Sequence, residues 1–184
     1  MVETIRTERL TLRPLRDSDA GPITLHASDE RVARMTISIP HPHPPGAAEA
    51  FIEGTLSGRR GEDVWAIDAT PLGGEELVGV IGYQPGPGEL GYWVGPPYWG
   101  VGYATEAVLA LVAHLFRARA PDQINAHVFA DNAASAAVLV KAGFRETGQS
   151  SGFSVARGEV VTQRVFRLER AAWAGPLEPD PVAE

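Results

Sequence analysis

The chain has 184 residues, 44% of them hydrophobic and 21% charged, the make-up of one soluble globular domain with a sizeable core. Its net charge of −7 argues against the basic face of a nucleic-acid binder, and no apolar run approaches the roughly 18 residues of a membrane span. The absence of cysteine rules out disulfides, thiolate metal sites and a covalent acyl-cysteine route, and fits a cytoplasmic setting.

Arg9-Leu-Thr-Leu-Arg-Pro-Leu15 alternates apolar and polar residues and reads as a first strand, with Pro14 placing it near an edge. Asp17-Ser-Asp19 supplies helix-start residues for a helical region through Leu25 toward Met35. His26 falls within it as a surface or half-buried position. The stretch from Ile37 to Gly46 holds four prolines and reads as a rigid loop. His41 and His43 in this loop have a spacing that can bind metal, but no Asp, Glu or Cys stands beside them and no metal is expected. Ala47 to Arg59 reads as a second helix, with Ala50, Phe51 and Leu56 on its apolar side.

Val64–Ile67 and Leu77–Tyr83 read as strands joined by the turn residues Thr70-Pro-Leu-Gly-Gly-Glu75, hence as a hairpin. A third antiparallel strand, Leu90–Val94, follows Pro85-Gly-Pro-Gly88. Apolar residues Ala104, Ala107, Val108, Leu111, Val112 and Leu115 then repeat at helical spacing, and the run stops before Pro121. Gln123–Ala130 is the next strand. A helix separates it from Leu90–Val94, so the two are expected to be parallel neighbours. Asp131 or Asn132 caps a helix through Lys141, which Gly143 ends. Strands near Phe153–Val155 and Val160–Leu168 complete the sheet. The fold class is therefore α/β with a mixed sheet. Residues 1–170 form one domain, and 171–184, rich in proline and acids, is expected to be a flexible tail.

The chemistry concentrates where the Leu90–Val94 strand breaks at Pro96-Pro97 and passes through Gly100-Val-Gly102 into the helix at Tyr103. A glycine turn that opens a helix directly after a strand aims bare N–H groups and the positive dipole end at one point, a site for phosphate. The P-loop pattern fails because no lysine lies near Gly102. The dinucleotide fingerprint fails because Thr105 stands where its third glycine or alanine belongs, and Asp122 precedes the next apolar run rather than ending it. A purely structural glycine turn stays open on these residues alone.

Trp99-Gly-Val-Gly-Tyr-Ala104 resembles the acyl-CoA loop of the GNAT N-acetyltransferase superfamily, Arg/Gln-x-x-Gly-x-Gly/Ala, with Trp99 in place of the Arg or Gln. The wording through Thr105-Glu-Ala107 is similar to the branch of ribosomal-protein N-terminal acetyltransferases, RimJ/RimL-like. Asn132-Ala-Ala-Ser135-Ala-Ala-Val138-Leu-Val-Lys141-Ala-Gly143-Phe144 matches a second pattern of that branch. The resemblance runs from about Thr7 to Glu169. It implies a GNAT fold whose central strands splay around acetyl-CoA as co-substrate, with an amine acceptor that is either a protein N-terminus or a small molecule, and a monomer or homodimer. It further implies that Trp99, Gly100, Val101, Gly102, Tyr103, Ala104 and Thr105 cradle the pyrophosphate. Main-chain groups near Trp93 and Val94 would hold the pantetheine arm, which Asn132 would touch, and the 37–46 loop would border the acceptor.

For catalysis, Ser135 lies one turn beyond Asn132 on the same helix face and is the candidate donor to the leaving sulfur. Many members of the resembled family carry a tyrosine acid four residues beyond that serine, where this chain has Leu139, so Tyr92 and Tyr103 are the other hydroxyls to consider. Glu89, opening the central strand, is the candidate base, acting through water. Glu106, in the first helical turn, reads as structural. Two rival functions are a CoA-binding regulatory module without turnover, and a partner-binding protein that uses the Pro-His loop and has no CoA affinity.

Overall fold

A computed structural model describes residues 2–175. Strands β1 (Ile5–Arg6), β2 (Thr11–Pro14), β3 (Asp63–Asp68), β4 (Gly79–Gln84), β5 (Glu89–Val94), β6 (Gln123–Phe129), β7 (Arg145–Ser154) and β8 (Glu159–Glu169) join in one sheet. Their order is β1-β2-β3-β4-β5-β6-β8-β7, antiparallel throughout except for the β5–β6 pair. The helices are α1 (Ala20–Ala27), α2 (Glu30–Ala33), α3 (Ala47–Leu56), α4 (Tyr103–Ala118) and α5 (Ala133–Lys141). The mixed α/β class, the hairpin from β3 to β4, and the parallel β5–β6 neighbours agree with the sequence reading.

The sheet is covered on both faces, as the nearly continuous burial along β3 and β4 requires. On one face Leu111, Leu115 and Phe116 of α4 and Leu139 of α5 pack with Leu12, Ile81, Leu90, Ile124 and Phe166. On the other, Ile23 and Ala27 of α1 and Ala48 and Ile52 of α3 pack on Val64, Ala66 and Val80. Each large side chain so buried contributes roughly 1.5–3 kcal/mol. In β5 the two faces separate cleanly. Leu90, Tyr92 and Val94 point to the α4/α5 side, while Trp93 joins the α1/α3 side.

Several boundaries differ from the sequence reading. The expected helix toward Met35 is broken, because Asp29 takes an extended conformation (ψ 121°) and caps α2 by accepting from the Arg31 N–H. The next helix ends at Leu56 rather than Arg59, with Gly58 at φ 72° turning the chain away. β7 begins at Arg145, well before Phe153. It is a mostly exposed edge strand, so no buried face printed an alternation on it. Pro14 lies beyond the reach of β1, which pairs only with Leu12 and Thr11, so it does meet an open edge.

His26 is a core residue rather than a surface one. Its ring meets Tyr98 edge-on at 5.5 Å and lies against Gly95, where a Cβ would come 2.5 Å from Nδ1. Burial pushes its pKa below the ordinary value, against the pull of Asp29 and Glu75, so the ring packs as a neutral group. It thereby fixes α1 to the turn that ends β5. The chain also stays packed past residue 170. Arg170–Ala172 forms a 3-10 turn, and the Trp173 ring lies 6.0 Å from Phe116. The remainder of the expected tail, 176–184, lies outside the described residues.

Candidate active site

The site begins with a divergence. β5 and β6 pair in register only at Glu89 and Asn125. Asn125 pins the apex. Its N–H donates to the Gly88 carbonyl at 2.8 Å and its Nδ2 to the Pro87 carbonyl at 3.2 Å. Beyond that point the strands part, and a cleft of about 1710 Å³ runs between the two faces of the sheet. The glycine loop, Asn132 and Ser135 line it on one side, and Phe51, Glu89, Trp93 and His127 on the other.

The edge of β5 facing this gap carries unpaired main-chain groups. The Gly95 N–H donates to the Val78 carbonyl at 2.8 Å, so alternation commits Trp93, Gly91 and Glu89 to β4 and turns Leu90, Tyr92 and Val94 toward the gap. The main-chain contact expected of Trp93 is therefore corrected, because its carbonyl faces Gly79 on β4. Val94 faces the gap, but the Trp99 indole donates to its carbonyl at 2.6 Å, leaving its N–H. Tyr92, rather than Trp93, turns its main-chain groups to the gap beside Val94.

The glycine loop is shaped from behind. Gly100 and Gly102 take φ 79° and 90°, the left-handed region that favours glycine. Gly102 is the N-cap of α4 and no side chain caps the helix, so its first N–H groups keep the orphan donors of a helix start. Arg9 buttresses the loop. Its Nη1 donates to the Val101 carbonyl at 2.9 Å and its Nε to Glu106 at 2.7 Å, and the guanidinium lies 5.2 Å from the Tyr103 ring centroid. Glu106 also accepts from Thr7 Oγ1 at 2.6 Å and from the Arg9 N–H at 2.9 Å. Burial pushes the Glu106 carboxyl up, but these donors outweigh it and hold it below the usual range. Glu106 is thus structural, as its position in the sequence implied. Trp99, at the Arg/Gln place of the pattern, lies under Arg31 at 5.5 Å.

On the α4/α5 side, Asn132 Oδ1 accepts the Ser135 N–H at 3.1 Å and caps α5, which leaves its amide nitrogen as a donor at the cleft. Ser135 Oγ lies 2.8 Å from the Tyr92 hydroxyl, which also donates to the Ser135 carbonyl at 3.0 Å. The pair bridges β5 to α5 across the gap. Burial pushes the Tyr92 phenol up to about 12, against the bond from Ser135, so it stays protonated across the working range. Tyr103, the other hydroxyl considered, lies under Arg9 at the loop instead.

On the α1/α3 side, Glu89 Oε1 lies 3.0 Å from His127 Nδ1 of β6. Gly82 and Gly91, directly opposite each other on β4 and β5, leave a floor of bare backbone beside them. The wall above is clasped by Arg157 from the β7–β8 turn. Arg157 donates to the Arg34 carbonyl at 2.7 Å and to both Asp131 oxygens at 2.9 and 3.1 Å, and lies 4.9 Å from the Phe129 ring centroid. The Arg157 bond holds the Asp131 carboxyl below its usual range, against the effect of burial. One side chain thus ties the Met35 segment to the turn that starts α5. Neither His127 nor Arg157 was signalled by sequence spacing. Among the described residues no group of three His, Asp or Glu side chains is placed to hold a metal, and His41 and His43 form no such cluster.

A glycine loop at a bare helix start, opening onto a gap between parallel strands, defines an α/β protein built to seat a long anionic ligand. The chain belongs to the acetyltransferase (GNAT) domain family, whose model matches residues 9–145. It is 28% identical over 182 residues to the uncharacterized N-acetyltransferase p20 of Bacillus licheniformis, covering 95% of this chain and 100% of that one. Among solved structures, the microcin C7 self-immunity acetyltransferase MccE in complex with acetyl-CoA and AMP has a TM-score of 0.75 at 16% identity, over 89% of this chain and 93% of its own. RimL, the ribosomal L7/L12 α-N-protein acetyltransferase in complex with coenzyme A, has a TM-score of 0.78 at 18% identity, over 92% and 99%. Both share this fold. No helix among the described residues is long and apolar enough to cross a membrane.

Proposed function

We propose that the protein transfers an acetyl group from acetyl-CoA to a primary amine by direct attack, without a covalent enzyme intermediate. The observation that carries this reading is that the uncapped N-terminus of α4 and the unpaired edge of β5 open onto one cleft. The first suits a pyrophosphate, the second the paired amides of a pantetheine arm added like a strand. The acetyl-CoA in the MccE structure and the coenzyme A in the RimL structure support the same cofactor here.

In this reading the 99–105 loop holds the pyrophosphate, Tyr92 and Val94 the pantetheine amides, and Asn132 adds a side-chain donor. Ser135 and Tyr92 together supply hydroxyl protons to the departing sulfur. The proton released by the amine is taken up on the opposite face of the sheet, where Glu89 lies. Thioester and amine thus meet through the gap from opposite sides, which keeps the acid and the base apart. The acceptor is an amine carried either by a protein N-terminus or by a small molecule, and the Pro40–His43 wall of the cleft takes part in selecting it.

Calorimetric titration with acetyl-CoA, with NADH as comparator, is expected to give micromolar binding of acetyl-CoA alone, followed by amine-dependent thiol release across an amine panel. Binding without thiol release for any amine would leave a regulatory CoA module, and absence of binding would return the loop to a structural turn. Ser135→Ala and Tyr92→Phe are each expected to lower kcat about 10-fold with KM for acetyl-CoA nearly unchanged, since each removes one of two donors used only as sulfur departs. A loss confined to KM would make the pair a binding element only.

A further inference from the structure

Resting on that acetyl transfer, we infer that His127 is the immediate proton acceptor for the attacking amine, and that Glu89 orients it. Side chains alternate along both central strands, so Glu89, Gly91 and Trp93 share a face with Asn125, His127 and Phe129. Glu89 stands opposite Asn125, which makes His127 its diagonal neighbour, and Nδ1 lies 3.0 Å from Oε1. The side chains are 27% and 32% exposed, so a substrate can reach them. Neighbouring polar groups on this face have partners of their own, and Gln84, opposite Glu89 on β4, donates to Glu62 at 3.5 Å. Arg167 turns to Asn125 at 3.2 Å, and Gln163 accepts from Ser150 at 3.2 Å.

The space in front of the pair is open. A Cβ on Gly91 would meet nothing within 4 Å, and Gly82 stands directly across on β4. An amine lying on this bare floor approaches the gap between β5 and β6 with the imidazole edge beside it. The carboxylate favours a proton on Nδ1, which leaves the lone pair of Nε2 for the amine. A water-borne transfer to Glu89 alone would leave His127 without a task at the one point where both strands present polar groups.

The steps balance as follows. The amine nitrogen bonds to the thioester carbon while the carbonyl π pair moves to oxygen. The cationic nitrogen of the tetrahedral adduct gives its proton to Nε2. The oxygen pair re-forms the carbonyl and the C–S bond breaks. The thiolate takes a proton from the Ser135–Tyr92 hydroxyls, which solvent replaces, and His127 returns its proton to solvent as product leaves.

The test uses the full chain with the best amine of the panel. His127→Gln keeps a donor toward Glu89 but cannot take the proton. It is expected to lower kcat about 100-fold while acetyl-CoA affinity stays within about 2-fold of the parent. Free imidazole is expected to restore part of the kcat of His127→Ala, which a structural role would not permit. Nitrogen NMR of labelled histidine is expected to show neutral His127 protonated on Nδ1, shifting in Glu89→Gln. A kcat within about 3-fold of the parent, or an Nε2-protonated ring, would overturn the inference. A parent without amine-dependent thiol release overturns the transfer reading and this inference with it. A parent that turns over while His127→Gln is indifferent overturns the inference alone.

Discussion

Gly102→Trp is expected to abolish measurable acetyl-CoA binding while the protein stays folded. Two effects combine. Gly102 sits at φ 90°, where any side chain strains the backbone by roughly 1–2 kcal/mol. Its Cβ would also stand 3.1 Å from Arg9 Nη2, so an indole there displaces the guanidinium that holds the Val101 carbonyl and Glu106. Once that clamp is lost, the loop no longer presents its N–H groups together. Losing two charge-assisted bonds to phosphate costs roughly 3–6 kcal/mol, or about 100- to 20,000-fold in Kd. Gly100→Ala is the control. It shares the positive φ of 79°, but a Cβ there meets nothing within 4 Å, so its loss should stay within about 10-fold. Calorimetry with acetyl-CoA reads both variants, and thermal unfolding checks that Gly102→Trp is folded. Unchanged affinity in Gly102→Trp would remove the loop from the cofactor site.

The parts legible in the sequence were those in which one face of an element is apolar and the other is not. The helical repeat from Ala104 to Leu115 located α4, and the order strand, proline break, glycine turn, helix located the loop, because each is set by residues close in the chain. What escaped is set by distant neighbours. The clasp of Arg157 joins partners 123 and 26 residues away. His127 reads as an ordinary polar position on a strand. Only the single-pair register with β5 brings it to Glu89. The proposed acid was half legible. Leu139 excluded the tyrosine of the resembled pattern, and Tyr92 stood among the substitutes, but its meeting with Ser135 needs the bridge across the gap. His26 misled because a histidine in a helix of weak amphipathicity carries no sign of what covers it.

Arg13→Ala is expected to cost the fold about 3–5 kcal/mol, the range for breaking a buried ion pair and stranding its partner. Arg13, Asp19 and Asp68 are 3%, 1% and 6% exposed. All five guanidinium N–H donors are used. Nε donates to Asp68 at 2.8 Å, Nη1 to Asp19 at 2.9 Å and to the Pro14 carbonyl at 3.1 Å, and Nη2 to Asp19 and the Glu76 carbonyl, both at 2.8 Å. Removing the cation leaves two carboxylates in the interior at the point where β2, β3 and the start of α1 are joined. Since α1 also forms part of the cleft wall, acceptor KM should rise before the protein unfolds. Lysine cannot substitute, because its three donors have no planar fork to meet five acceptors. The cost depends on pH in a fixed direction. Burial pushes the Asp68 carboxyl up, but Thr70 and Arg13 outweigh this and hold it below its ordinary value. A carboxyl depressed in the folded state stabilises fully above its unfolded pKa, about 3.9, and loses that contribution as pH falls through the folded value. In the variant, protonation of Asp68 instead relieves its stranded carboxylate. The stability gap between parent and Arg13→Ala should therefore be widest at neutral pH and close on acidification, as read by urea unfolding at stepped pH. A gap that stays constant through that range would mean the guanidinium is held for its packing rather than its charge.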